Sequence, residues 1–405
     1  MNGSTSATPA TAQSAAAAAQ AANDNARALL LAQAINTRIK IASGTVAGAT
    51  GPGTVVPIGP PQIRMFGLLK RFLLRISFTV TAPGGQTQTL GPFGPSTAIS
   101  QVVFSDTNNY ERHRTSGIHL NLVSTAKRRR VYGAAFTSDS PNGYGNNWQA
   151  LMAAPVSIGA GATGDVDLWL EIPVSYTDMD LRGAIWLGVT QATLALSFQF
   201  NPNMFANTGT TDTTQALYVS AGGTSATMGD ATWVLYQDTL DQVPRVPQGS
   251  AGAGAPILPW QDIGTNYMLQ TTPGSGGLVA NTDNPFPYAN FRNFLSTMAI
   301  FDNGGVLNTG SDVTRLAIQT ANTVNIIDID PPMAAFETRL LFGDDPPPGM
   351  YYFDHRHRPI WTQQYGNMAL LFNPNLVNAG ASLILGYEML AQASLITGAG
   401  SLPGT

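Results

Sequence analysis

The chain has 405 residues, with 24 acidic and 20 basic side chains and a net charge of −4. Only 11% of it is charged, well below the roughly 25% of ordinary soluble domains, so much of its surface is expected to meet other protein rather than water. It has no cysteine, which excludes disulfides, thiolate zinc sites and thiol nucleophiles, and no apolar run reaches the ~18 residues that span a bilayer.

Residues 1–40 form an N-terminal segment. It opens on a low-complexity Ala/Ser/Thr stretch, without the basic start and Leu-rich block of a secretory signal, and a cytoplasmic origin is expected. "SAAAAAQAANDNARALLLAQAINTRIK" then predicts a helix from about Ser14 to Ile39, because alanine is the best helix former and Leu31 and Ile35 recur at helical spacing. Arg27, Arg38 and Lys40 give it a basic side. Such a helix can lie on a membrane surface or pack on its own protein. Residues 1–130 carry 13 Lys/Arg against 3 Asp/Glu, and residues 131–405 carry 7 against 21. The basic end could therefore face nucleic acid, lipid headgroups or an acidic neighbouring subunit.

After Gly44 the period changes to two. In "LLRISFTVT", Leu74, Ile76, Phe78 and Val80 share one face, and Arg75, Ser77 and Thr79 the other. "DVDLWLEIPV" and "LALSFQF" alternate likewise, which argues for an all-β chain of antiparallel sheets.

The chain also repeats itself. "VVFSDTNNYERHRTSGIHLNLVSTA" from Val102 resembles "MAIFDNGGVLNTGSDVTRLAIQTAN" from Met298; each predicts a strand, a polar turn and a short amphipathic helix. "FQFNPN" (198–203) matches "LLFNPN" (370–375), and the closing strands "WVLYQDTL" and "LILGYEML" each carry a tyrosine. A Pro/Gly/Ser/Ala stretch separates the copies and reads as a linker. The expected division is a first β-domain over 41–244, a linker over 245–256, a second β-domain over 257–395 and a tail over 396–405. An eight-stranded jelly roll fits each copy by length and strand count; periodicity alone does not separate it from another Greek-key sandwich.

Few residues suggest chemistry. "KRRR" (127–130) could bind phosphate, but at a helix C-terminus it also complements the dipole, and Arg128, Arg129 and Arg130 fit an intersubunit or solvated surface. No aromatic-interleaved basic groove accompanies them, so sequence-specific nucleic-acid binding is not expected. Asp165/Asp167 and Asp328/Asp330 lie two apart, their Cα atoms ~7 Å apart if extended; glycosidases use paired carboxylates, but polar strand faces carry such pairs commonly. No nucleophile elbow, P-loop or H-E-x-x-H occurs, so neither catalysis nor a cofactor is expected. His113 and His119 flank a predicted helix start over 116–126 and suit hydrogen bonding or an interface.

"ERHRTSGIHLNLVSTAK", "LSTMAIFDNGGVLNTGSD", "LDQVP", "YGNMALLFNPNLVN" and "GYEML" closely resemble the major capsid proteins of tectiviruses, membrane-containing icosahedral phages. The likeness is collinear and runs from the N-terminal helix to about Leu390. It implies two tandem eight-stranded jelly rolls with short helices in loops, a homotrimer of pseudo-hexagonal outline, and a shell around an internal lipid membrane enclosing double-stranded DNA. It further implies assembly in the bacterial host cytoplasm, and contact with lattice neighbours and with minor capsid, vertex and membrane proteins. The family's N-terminal helix faces the membrane, so Arg27, Arg38 and Lys40 would attract anionic lipid at about 1 kcal/mol each. A receptor- or carbohydrate-binding β-sandwich of the spike or lectin kind is the alternative.

"YYFDHRHRPIW" holds two of the four histidines. Aligned on the repeat, Pro359 falls opposite Pro173, His357 opposite Glu171 and His355 opposite Trp169. That predicts His355 and His357 on the outer face of a strand, between barrels or subunits. They are weak metal candidates, with no third ligand visible, and a pH-sensitive interface suits them better.

Overall fold

The alternating segments become sixteen principal strands in the computed structural model, which describes residues 9–392 apart from 60–61, 107–108, 133–151, 189–192, 208–213, 223, 306–311, 322–323, 344–345 and 348. The first eight are β1 (Ile35–Val46), β2 (Val55–Ile58), β3 (Leu68–Thr81), β4 (Ile99–Ser105), β5 (Glu111–Thr115), β6 (Thr163–Pro173), β7 (Ala195–Phe200) and β8 (Ala231–Asp241). The second eight are β9 (Thr265–Ser275), β10 (Asn284–Pro287), β11 (Asn293–Asp302), β12 (Val313–Gln319), β13 (Asn325–Ile329), β14 (Met350–Asp354), β15 (Ala369–Pro374) and β16 (Ser382–Gln392). Helix α1 (Pro9–Gln33) precedes β1, α2 (Gly117–Tyr132) follows β5, α3 (Trp260–Ile263) precedes β9, and α4 (Pro331–Phe342) follows β13.

In the first copy the strands order as β1-β8-β3-β6 in one sheet and β2-β7-β4-β5 in the other, with short strands at the margins. The second copy repeats this as β9-β16-β11-β14 and β10-β15-β12-β13. First strand pairs with last, second with seventh, third with sixth and fourth with fifth, antiparallel throughout. That wrapping of one long hairpin is a jelly roll, so the chain is a double jelly roll. Leu74, Ile76 and Val80 are wholly buried and Phe78 nearly so, as their alternation requires. Each such side chain contributes about 1.5–3 kcal/mol on leaving water.

Three expectations need correction. The N-terminal helix ends at Gln33, and residues 35–46 are strand. Ile35, Thr37, Ile39 and Ile41 are β-branched and stiff, and a ladder to β8 from Ile35–Asp241 to Val46–Ala231 outweighs helix preferences of less than ~1 kcal/mol per residue. The segment "VTRLAIQ", expected as helix, is β12, paired on both sides by β13 and β15. The proposed repeat therefore set the fourth strand of one barrel against the third of the other. The "FNPN" segments and the closing strands, by contrast, occupy equivalent places, β7 with β15 and β8 with β16. The tail at 396–405 lies outside the described residues.

Candidate assembly surface and inter-barrel junction

The two barrels join through a shared sheet. β5 closes the first barrel's second sheet, β9 opens the second barrel's first, and they pair in parallel at His113–Leu269 and Arg114–Gln270. His113 seals this seam. Its Nδ1 accepts the Leu269 N–H at 3.0 Å, which leaves the Nε2 proton to donate to the Pro173 carbonyl. Burial holds this histidine neutral, with its pKa lowered to about 3.

Helix α2 clamps the seam. Ser116 caps it, its hydroxyl accepting the His119 N–H at 3.2 Å. Leu120 and Val123 enter the first core, while Ile118, Leu122 and Ala126, at i, i+4 and i+8, join a cluster with Met298, Ile300, Met350, Tyr352 and Ile384 on the second barrel's outer face. Gly386 lies beneath His119, where a Cβ would stand 2.8 Å from the ring's Cδ2.

At the far end of α2, Lys127 reaches across to Glu388, 3.4 Å away and fully buried on β16. The carboxylate accepts from Tyr267 Oη at 2.7 Å, from Ser296 Oγ at 2.9 Å and from Arg356. Lys127 donates to Tyr267 Oη and the Tyr176 carbonyl, each at 2.7 Å, and lies 4.1 Å from the centre of the Tyr267 ring. Burial alone would raise the Glu388 pKa, but the charges of Arg356 and Lys127 outweigh it and hold the group at about 2. Burial lowers Lys127 to about 8 despite its partner. The arrangement ties one barrel to the other.

The outer face of the first barrel's β1-β8-β3-β6 sheet carries an equivalent carboxylate. Asp238 is buried and bonded by Arg38 Nε at 2.7 Å and Arg71 Nε at 2.8 Å. Beside it Trp169 stacks on Tyr236, ring centres 6.1 Å apart, and Arg75 lies over Trp169. Helix α1 is tied down at its middle, where Arg27 bridges Asp24 and Asp262 at 2.6 and 3.0 Å and Asn23 bonds Asp262.

The sequence-chosen residues are thus dispersed. Arg27 sits on α1, whereas Arg38 and Lys40 sit on β1, Arg38 ion-paired and Lys40 exposed. Arg128, Arg129 and Arg130 belong to α2, but their side chains lie outside the described residues. β14 ends at Asp354, so His355 and His357 do not share an outer strand face. His355 is 6% exposed, against Phe353, and held near pKa 3 by burial and then by Arg356; His357 is exposed in the following turn. Among the described residues no group of three or more His, Asp or Glu could hold a metal. The carboxylate pairs also separate: Asp167 binds Arg75 and Ser77, Asp328 binds Arg315, and Asp330 caps α4 by accepting the Met333 N–H at 3.0 Å. Sequence reading passed over Glu388, although a lone acid in the middle of apolar "LILGYEML" was a usable signal of a paired buried charge.

Family models described as the P3 major capsid protein N-terminal and C-terminal domains match residues 5–243 and 264–403. The chain is 34% identical over 390 residues to the "Major capsid protein P3" of Enterobacteria phage PRD1, covering 96% of this chain and 95% of that one. Among solved structures it is similar to the STIV MCP (TM-score 0.60, 10% identity, 91% of this chain and 100% of the other). It is also similar to a chain of Sulfolobus Turreted Icosahedral Virus (TM-score 0.61, 12% identity, 88% and 91%).

Proposed function

The chain belongs to the P3 major capsid protein family, a structural component of the virion, and from that premise we propose that it works as a homotrimer of pseudo-hexagonal outline. Such trimers tile an icosahedral shell around an internal membrane that encloses the double-stranded DNA, assembled in the host cytoplasm, where the shell also meets minor capsid, vertex and membrane proteins. The observation that carries this reading is the joining of two like barrels side by side through one continuous sheet. A chain that is already a pair of like units presents six of them when three copies close into a ring.

The lipid-facing role falls to α1. Arg27 is committed to Asp24 and Asp262, and Arg38 to Asp238, so the electrostatic attraction is weaker than three free cations at about 1 kcal/mol each would give. The barrels serve no catalysis in this reading. Native mass spectrometry tests it: a species near three times 42.6 kDa is expected, and a strictly monomeric protein at micromolar concentration would refute it.

A further inference from the structure

Both barrels carry a helix between their fifth and sixth strands, and the two helices can be superposed by their caps. Ser116 accepts the N–H of His119, and Asp330 accepts the N–H of Met333. With caps matched, Met333, Phe336 and Leu340 of α4 correspond to His119, Leu122 and Ala126 of α2. The α2 residues are at most 1% exposed, pressed on the second barrel's outer sheet. Their α4 counterparts are 42%, 52% and 68% exposed. An apolar stripe built like a docked one, and left in water, marks an interaction surface.

The surface that α2 covers also has a counterpart. Glu388 on β16 and Asp238 on β8 are the wholly buried carboxylates of the two closing strands, opposite Ser296 and Arg71 respectively. That register matches Met298 to Leu73, Ile384 to Val234, Gly386 to Tyr236 and Met350 to Trp169. Leu73, Val234, Tyr236 and Trp169 form a half-buried apolar and aromatic patch on the first barrel's outer face. The sheet edges follow the same logic. β5 pairs with β9 within the chain, while their counterparts β13 and β1 each end a sheet. The matched positions there are Ile327 and Arg38.

We propose that α4 docks its Met333–Phe336–Leu340 stripe on the Leu73–Val234–Tyr236–Trp169 patch of a second copy of this chain, with β13 running alongside that copy's β1, reproducing between chains the contact that α2 and β5 make within one. This rests on the self-assembly reading above and specifies which surfaces meet. The interface is head-to-tail: each copy offers one donor face and one acceptor face, and a rotation that returns on itself closes three copies into a ring.

The test uses the full chain. A donor variant, Phe336→Glu with Leu340→Glu, and an acceptor variant, Leu73→Glu, should each run as monomer on native mass spectrometry with an unchanged circular dichroism spectrum. Mixed one to one, they should form a heterodimer, because one intact donor then faces one intact acceptor. A control, Met179→Glu, should stay trimeric. Variants that remain trimeric, or a mixture that stays monomeric, overturn the proposed contact while leaving the trimer standing; a monomeric wild type overturns both. Should the charged variants fail to fold, methionine oxidation of the wild type decides. Met333 should be protected at least tenfold relative to Met179 in the assembled species, and equal oxidation of the two overturns the contact.

Discussion

Lys127 of the first barrel lies 3.4 Å from Glu388 of the second, and both charges are withdrawn from water. The pair is asymmetric, because Glu388 also has Arg356, Tyr267 and Ser296, whereas its loss leaves two buried cations facing each other. Leaving a buried charge uncompensated costs about 3–5 kcal/mol. Glu388→Ala is therefore expected to lower stability by about that amount, and Lys127→Met by only about 1–2 kcal/mol, since Arg356 still balances the carboxylate. Chemical denaturation of the two variants checks the order; equal costs would mean that Arg356 does not compensate.

Acid should loosen the particle's building block. His113, His119 and His355 are buried and neutral, with pKa lowered by burial to about 3, 4 and 3, against about 6.5 in an unfolded chain. Between those limits the unfolded state binds more protons, so stability falls as pH drops from about 6.5 toward 4. Glu388, held near 2, adds a second loss below its unfolded value of about 4.3. Thermal melting across pH 7 to 4 should show a falling Tm, and His355→Phe, which removes a ring whose Nε2 has no bonding partner among the described residues, should flatten the slope. A Tm independent of pH over that range contradicts the neutral assignment.

The fold was more legible in the sequence than the surfaces it uses. Leu74, Ile76, Phe78 and Val80 announced a strand because period two is a property of one segment read alone. "VTRLAIQ" did not, because seven residues rich in apolar side chains fit either period and two neighbouring strands decided the matter. His355 was assigned to a strand's outer face because strand ends are invisible to alternation, and β14 stops one residue before it. The junction escaped for another reason: Lys127 and Glu388 are 261 positions apart, and the parallel seam between β5 and β9 brings their barrels together. The resemblance carried the family; the geometry supplied which charges are spent within the chain.

Removal of the N-terminal segment should separate two roles that the sequence had merged. Deleting residues 1–33 takes away α1 and leaves β1 whole, so the barrel should fold, with reduced sedimentation on vesicles containing anionic lipid. Deleting residues 1–40 also removes half of β1 and the Arg38 partner of buried Asp238, so expression of folded protein should drop. Unchanged vesicle binding after the shorter deletion takes the lipid role from α1.

Gly386 tests how closely α2 must approach the second barrel. A methyl group there would meet the His119 ring at 2.8–2.9 Å and Met298 Cε at 2.9 Å, and both neighbours are fully buried. The methionine can swing, but the imidazole is held by Thr115 Oγ1 at 2.8 Å, so α2 has to lift as a unit. Overpacking of this kind costs about 1–3 kcal/mol, and lifting α2 also stretches the Lys127–Glu388 contact at its other end. Gly386→Ala is therefore expected to lower Tm and to speed amide exchange in α2 more than in β3, an inner strand of the first barrel's β1-β8-β3-β6 sheet. Exchange that rises equally in both would place the strain in the whole subunit rather than in the clamp.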